Sequence, residues 1–212
     1  MLRTLAAAAL ATSVVAVAAP AKAQDDGRPM GLRFELGWAG HQNIATFGVA
    51  DDNTAVTAPI SPNGDIKVGY DFGQFTPLIG LSFINTTRDV NEDDSASITA
   101  FVLDIEARYF FKPHRKGLQP FVFGEFNNAF VSLSNDALEG EEEDRLDDVA
   151  SQLDYTEINA GFGLEYKFDQ QGFAIGGKWG LGLAFQGFDV GDEDRSVTSI
   201  GTLGAIYAAW RI

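Results

Sequence analysis

The feature that most narrows the folds open to this chain is a two-residue alternation in which one register carries no charge. Successive side chains of a β-strand point to opposite faces, so period-two patterning is the signature of a strand with two unlike sides. Eight segments show it, at roughly 31–40, 64–72, 75–85, 97–111, 118–132, 155–168, 172–187 and 197–212. One register is bulky and apolar, as in Leu32, Phe34, Leu36 and Trp38, in Ile79, Leu81 and Phe83, or in Trp179, Leu181, Leu183 and Phe185. The other register holds the strand charges: Arg33, Glu35, Lys67, Asp71, Asp104, Glu106, Arg108, Glu125, Glu157, Glu165, Lys167, Lys178 and Arg211. Between those charges sit small residues, including Gly37, Gly69, Gly80, Gly161, Gly163, Gly176, Gly180, Gly182 and Gly201.

The connections alternate in length. Gly73-Gln74, 112–117 and 169–172 are short, whereas 41–63, 86–96, 133–154 and 188–196 are longer and polar. A closed sheet with one trimmed rim and one extended rim has this rhythm, and an even strand number puts both ends on the trimmed rim. The expected fold is all-β: an eight-stranded antiparallel up-and-down transmembrane β-barrel with short periplasmic turns and long outer loops.

Two arguments decide which face meets lipid. An eight-stranded barrel has a lumen just wide enough for side chains, and the apolar register carries too much volume to fit there. A cationic side chain facing the bilayer midplane costs about 2–4 kcal/mol, so the charge-free register belongs outside. Aromatics near strand ends supply an interfacial girdle: Trp38, Tyr70, Phe72, Tyr109, Phe111, Tyr166, Phe168 and Trp210. The competing arrangement is a soluble lipocalin-like barrel with the faces reversed. Its surface would be rich in Lys, Thr and Glu rather than glycine.

The amino-terminal residues carry an address. Arg3 precedes an uncharged Ala/Val/Leu run from Leu5 to Ala19, and Ala21-Lys22-Ala23 offers a small-x-small cleavage site. That run is shorter than the ~20 residues a membrane helix needs. The expected organisation is a signal peptide over 1–23, a short leader over 24–30 and a barrel over 31–212. The mature chain has 30 acids against 13 Lys plus Arg, a net charge of −17. Such a polyanion is a poor nucleic-acid ligand, because phosphate contacts need clustered cations. With no cysteine, disulfides and thiolate chemistry are excluded.

The signal peptide, the eight alternating strands and a last strand ending Ile206-Tyr207-Ala208-Ala209-Trp210-Arg211-Ile212 together resemble the small outer-membrane β-barrel superfamily. Its members include the outer-membrane protein A-type transmembrane domain and the opacity-type and X-type barrels. The resemblance implies a bacterial outer-membrane location, with outer-membrane lipids, lipopolysaccharide and the barrel-assembly machinery as partners, and a monomer is expected. Family members usually end in an aromatic residue; here Ile212 takes that place and Trp210 stands two residues earlier.

The thirteen charges, six basic and seven acidic, are expected to pair inside the lumen, because unpaired buried charge is costly. A closed polar plug is therefore preferred to a narrow ion or solute channel. The acidic runs Asp93-Asp94, Glu141 to Asp144, Asp147-Asp148 and Asp192-Glu193-Asp194 fall on the long-loop rim. They read as solvated loops, and none has the spacing of a twelve-residue calcium loop. No metal, cofactor or catalytic site is expected. His41 and His114 fall on opposite rims, so they share no site, and a lipid A-modifying enzyme has thin support. Gly172-x-x-x-x-Gly177-Lys178 mimics a phosphate loop but lies on a strand and is followed by Trp179 instead of Ser or Thr. The preferred function is structural or surface-interacting, through the outer loops.

Overall fold

The computed structural model describes residues 30–47, 63–89, 95–111, 116–135, 154–168, 172–190 and 193–212. The expected signal peptide, most of the acidic loop residues and His114 lie outside the described residues. The described residues form eight strands: β1 (Gly31–Phe47), β2 (Asn63–Asp71), β3 (Phe75–Asp89), β4 (Ser95–Phe110), β5 (Gly117–Asn135), β6 (Tyr155–Lys167), β7 (Ala174–Val190) and β8 (Glu193–Arg211). Each pairs antiparallel with its neighbours in the chain, and β8 returns to pair with β1, closing the barrel. Closure removes the sheet edges, the one way a β-structure can satisfy its backbone in lipid. At the seam, Leu32 and Ile212 exchange two backbone hydrogen bonds, at 3.0 and 2.9 Å.

The short-turn rim follows the local sequence closely. The Phe72 N–H donates to the Phe75 carbonyl at 2.8 Å across Gly73-Gln74. Gly73 has φ of 84°, a conformation that two-residue hairpins demand and that a Cβ would oppose. The long-loop rim departs further from expectation. Strand β1 runs on to Phe47, so His41 stands in a strand, opposite Leu203, instead of opening a loop. The expected loop 188–196 is mostly strand, with Val190 paired to Glu193. The physical reason is that alternation marks a strand only where one face meets lipid. Backbone pairing needs no such contrast and continues where the alternation stops. A register shift between Asn43 and Ala45 leaves Ile44 as an extra residue in β1 and breaks the alternation there.

The apolar register faces outward on all eight strands. Leu81 and Trp38 are each 62% exposed, and the exposed apolar band continues around the whole wall. A soluble monomer rarely leaves so much contiguous apolar surface in water, and lipid is the solvent that such a wall suits. The aromatic belt sits at the turn rim. Tyr70 stacks near Phe72 (4.6 Å between centroids), Tyr109 near Phe111 (5.9 Å) and Tyr166 near Phe168 (4.9 Å). Phe173, not anticipated from sequence, links Phe168 (5.5 Å) to Trp210 (5.3 Å). Trp38 is the exception. It lies in the middle of β1, paired with Gly64 and Ile206, well away from that belt.

Candidate functional site: the barrel lumen

Inward side chains divide the lumen into a half near the turn rim and a half near the loop rim. In the turn half, Arg33 and Glu35 are two residues apart on the same face of β1, and Arg33 Nε donates to Glu35 at 2.5 Å. Across the barrel, Arg33 also forms a two-point contact with Glu165 of β6, whose carboxylate accepts from the Tyr207 hydroxyl at 3.1 Å. Asp71 accepts from Thr76 at 2.6 Å and draws Arg33, Arg211 and Lys167 to 3.8, 3.5 and 3.9 Å. Arg33 and Arg211 face each other directly across the β1–β8 seam. These shared carboxylates offset the repulsion that such a like-charged pair brings.

Arg108 is the hub at the centre. Its guanidinium, on a residue 1% exposed, donates to Glu35 at 2.9 and 2.8 Å and to Glu106 at 2.6 and 3.1 Å. The same group lies 4.3 Å from the Tyr207 ring centroid and 5.1 Å from that of Phe121. Planar guanidinium suits this double role of carboxylate fork and aromatic stack. On the far side, Glu106 and Glu125 stand directly opposite one another on β4 and β5. Lys178 bridges them, bonding Glu106 at 3.0 Å and Glu125 more closely, and Lys67 reaches Glu106 at 3.0 Å and Asp104 at 2.8 Å.

The thirteen charges named from sequence all point inward, with Arg211 the least covered of them. Glu157 is apart from the central cluster, next to Asn127 Nδ2 at 3.3 Å. Sequence reasoning missed Asp65, which shares the register of Lys67 and lies 3.4 Å from its ammonium group. It also missed that the lumen is more than glycine and charge. Phe110, Phe121, Phe123 and Tyr207 are buried inside it. The signal was available: by parity Phe121 and Phe123 share Glu125's register, and Tyr207 shares Arg211's. The inward glycines explain how these rings fit. A Cβ on Gly163 would come within 2.2 Å of the Phe121 ring, one on Gly176 within 2.4 Å of the Tyr207 ring, and one on Gly180 within 2.9 Å of Phe123. Absent side chains on β6 and β7 are the space into which β5 and β8 place their aromatics.

The loop half is different in kind. Ala100, Val102, Ala129 and Leu203 are buried there, with Asn127 and Asn159 among the polar residues. Among the described residues, no three His, Asp or Glu side chains converge as metal ligands.

The closed ring, the inward charges and the outward apolar wall agree with the sequence comparison: the outer membrane protein beta-barrel domain matches residues 7–205. The chain belongs to this family. Among solved structures, this outer-membrane barrel is similar to neisserial surface protein A, at 8% identity and a TM-score of 0.51, over 86% of this chain and 97% of that one. It is similar also to outer membrane protein H of Pseudomonas aeruginosa (13% identity, TM-score 0.46, 84% and 99% covered). The amino-terminal barrel domain of OprF from the same organism matches at 15% identity and a TM-score of 0.38, over 84% and 99%. At these identities the likeness is one of fold. No curated protein sequence matches this outer-membrane barrel.

Proposed function

We propose that this barrel is a closed, non-enzymatic scaffold that acts at the cell surface through its long-loop rim, in a structural or interaction role. The observation that carries the reading is Arg108. It is held by two carboxylates and flanked by two aromatic rings at the centre of the lumen, where a conducting path would have to run. A buried network of paired charges resists opening, because separating either partner strands a charge in a medium that solvates it poorly. In the same reading, residues 1–23 are removed on export. The barrel is then inserted as a monomer by the barrel-assembly machinery, among outer-membrane lipids and lipopolysaccharide. Its net negative charge supports no nucleic-acid partner.

Planar-bilayer recording on the purified mature protein tests the closed lumen. Flat traces are expected, and large, long-lived openings would replace this reading with a channel. Exchanging the acidic run 139–148 for a Gly/Ser linker tests the surface role. The variant should still show heat-modifiable migration while adhesion or envelope integrity changes. If neither property moves, the surface reading fails.

A further inference from the structure

The loop half of the lumen contains two carboxamides whose bonding is incomplete. Asn159 is 1% exposed, yet neither Oδ1 nor Nδ2 has a hydrogen-bond partner, and Asn127 Oδ1 is also without one. Buried amides left in this state are uncommon, since desolvating one without compensation costs about 1–3 kcal/mol from mutational data. Asn127 stands directly across from Glu157, and Asn159 across from Gly182. A Cβ on Gly182 would meet Asn159 Oδ1 at 2.0 Å and Glu157 Oε1 at 2.7 Å. The two oxygens therefore converge on the same small volume beside a residue with no side chain. The next inward position along that rung is Gly201, which adds no side chain beyond Cα.

Charge has a direction here as well. In the turn half, three cations, Arg33, Lys167 and Arg211, stand with three carboxylates, Glu35, Asp71 and Glu165. Around Lys67 and Lys178, by contrast, stand Asp65, Asp104, Glu106 and Glu125, with Glu157 beyond them. A cation approaching from the loop rim meets excess negative charge before it meets Arg108. An anion is repelled at the same point.

The geometry points to a cation site in the loop half of the lumen, formed by the Glu157 carboxylate and the Asn159 carboxamide oxygen beside Gly182. The donor set is oxygen only, one carboxylate with one carboxamide, which selects a hard cation over zinc or copper. With a single formal charge in the set, the ion keeps several waters. Its affinity then belongs with extracellular calcium modules, at about 0.1–1 mM. The inference goes beyond the surface role and does not depend on it: a conducting barrel could hold the same ion, and a closed one could lack it.

The test is paramagnetic broadening in isotope-labelled full barrel in detergent micelles, with Mn²⁺ as the probe. The amide signals of Asn159 and Gly182 should broaden at Mn²⁺ concentrations that leave Arg33 and Lys167 sharp, and excess Ca²⁺ or Mg²⁺ should restore them. Glu157→Gln keeps the shape of the side chain and should weaken the effect at least tenfold. Asn159→Ala should weaken it severalfold, whereas Asp154→Asn, outside this donor set, should leave it unchanged. If the Asn159 and Gly182 signals stay sharp, or broaden equally in Glu157→Gln, the amides are satisfied by water alone and the site does not exist.

Discussion

The two halves of the lumen are built on the same strands by the same alternation, yet they treat polar side chains in opposite ways. Near the turn rim and at the centre, each cation from Arg33 to Lys178 lies 3.9 Å or less from at least one carboxylate, several bond two, and aromatic rings fill the space the glycines leave. Toward the loop rim, small apolar residues line the wall and the amides of Asn127 and Asn159 are only partly bonded. Alternation decides which side chains enter a barrel. Whether they lock together depends on what arrives from the strands opposite.

The largest effect that could break this contrast is at Arg108. Replacing it with Ala leaves Glu35 and Glu106 buried without their main partner, and removing one member of such a pair costs about 3–5 kcal/mol. Urea unfolding of Arg108→Ala in micelles, followed by tryptophan fluorescence, should show a loss of that size. Bilayer recording of the same variant should show new conductance steps. An unchanged midpoint with silent traces would mean that Arg108 is not what locks the lumen.

Next comes the wall that both halves share. Leu81→Arg places a cation on the lipid side of β3 and should cost about 2–4 kcal/mol in refolding into vesicles. Tolerance of that arginine would return the apolar register to a protein or water environment. Smaller again is the fit between rings and glycines. Gly163→Ala drives a methyl into Phe121 and toward the Gly177 carbonyl, an overpacking worth about 1–3 kcal/mol. Phe121→Leu in the same chain should recover part of the loss. Failure of any recovery would show that the backbone contact, not the ring, sets the cost.

The smallest effect is the sharpest test of the comparison. In metal-free buffer, Asn159→Ala removes an amide without partners, so relief of its desolvation cost offsets the cavity left behind and stability should fall far less than in Arg108→Ala. A cost approaching that of Arg108→Ala would erase the difference between the halves.

Much of this was legible in the chain. Gly73-Gln74 fixed a turn because a positive φ is a local property of glycine, and the charges of β4 pointed inward because Asp104, Glu106 and Arg108 share a parity. The loop ends of β1, β7 and β8 were not legible, since the alternation fades there while backbone pairing, which does not need it, continues. Trp38 was misplaced for the same reason: taking its strand to end early put it at a rim it does not reach. Asp65 and the lumen aromatics lay in the readable register, since parity alone puts Asp65 with Lys67, Phe121 and Phe123 with Glu125, and Tyr207 with Arg211.

By itself the sequence determined the number of strands, the short turns and the face each side chain takes, because these follow from a two-residue period and from glycine's backbone freedom. Only the tertiary structure decided that Arg108 would meet Glu35, a residue 73 positions away, and that glycines on β7 would admit rings from β5 and β8. Those meetings depend on the stagger between strands and on closure of β8 against β1. Both are set by packing around the whole ring, and no local stretch of chain encodes them.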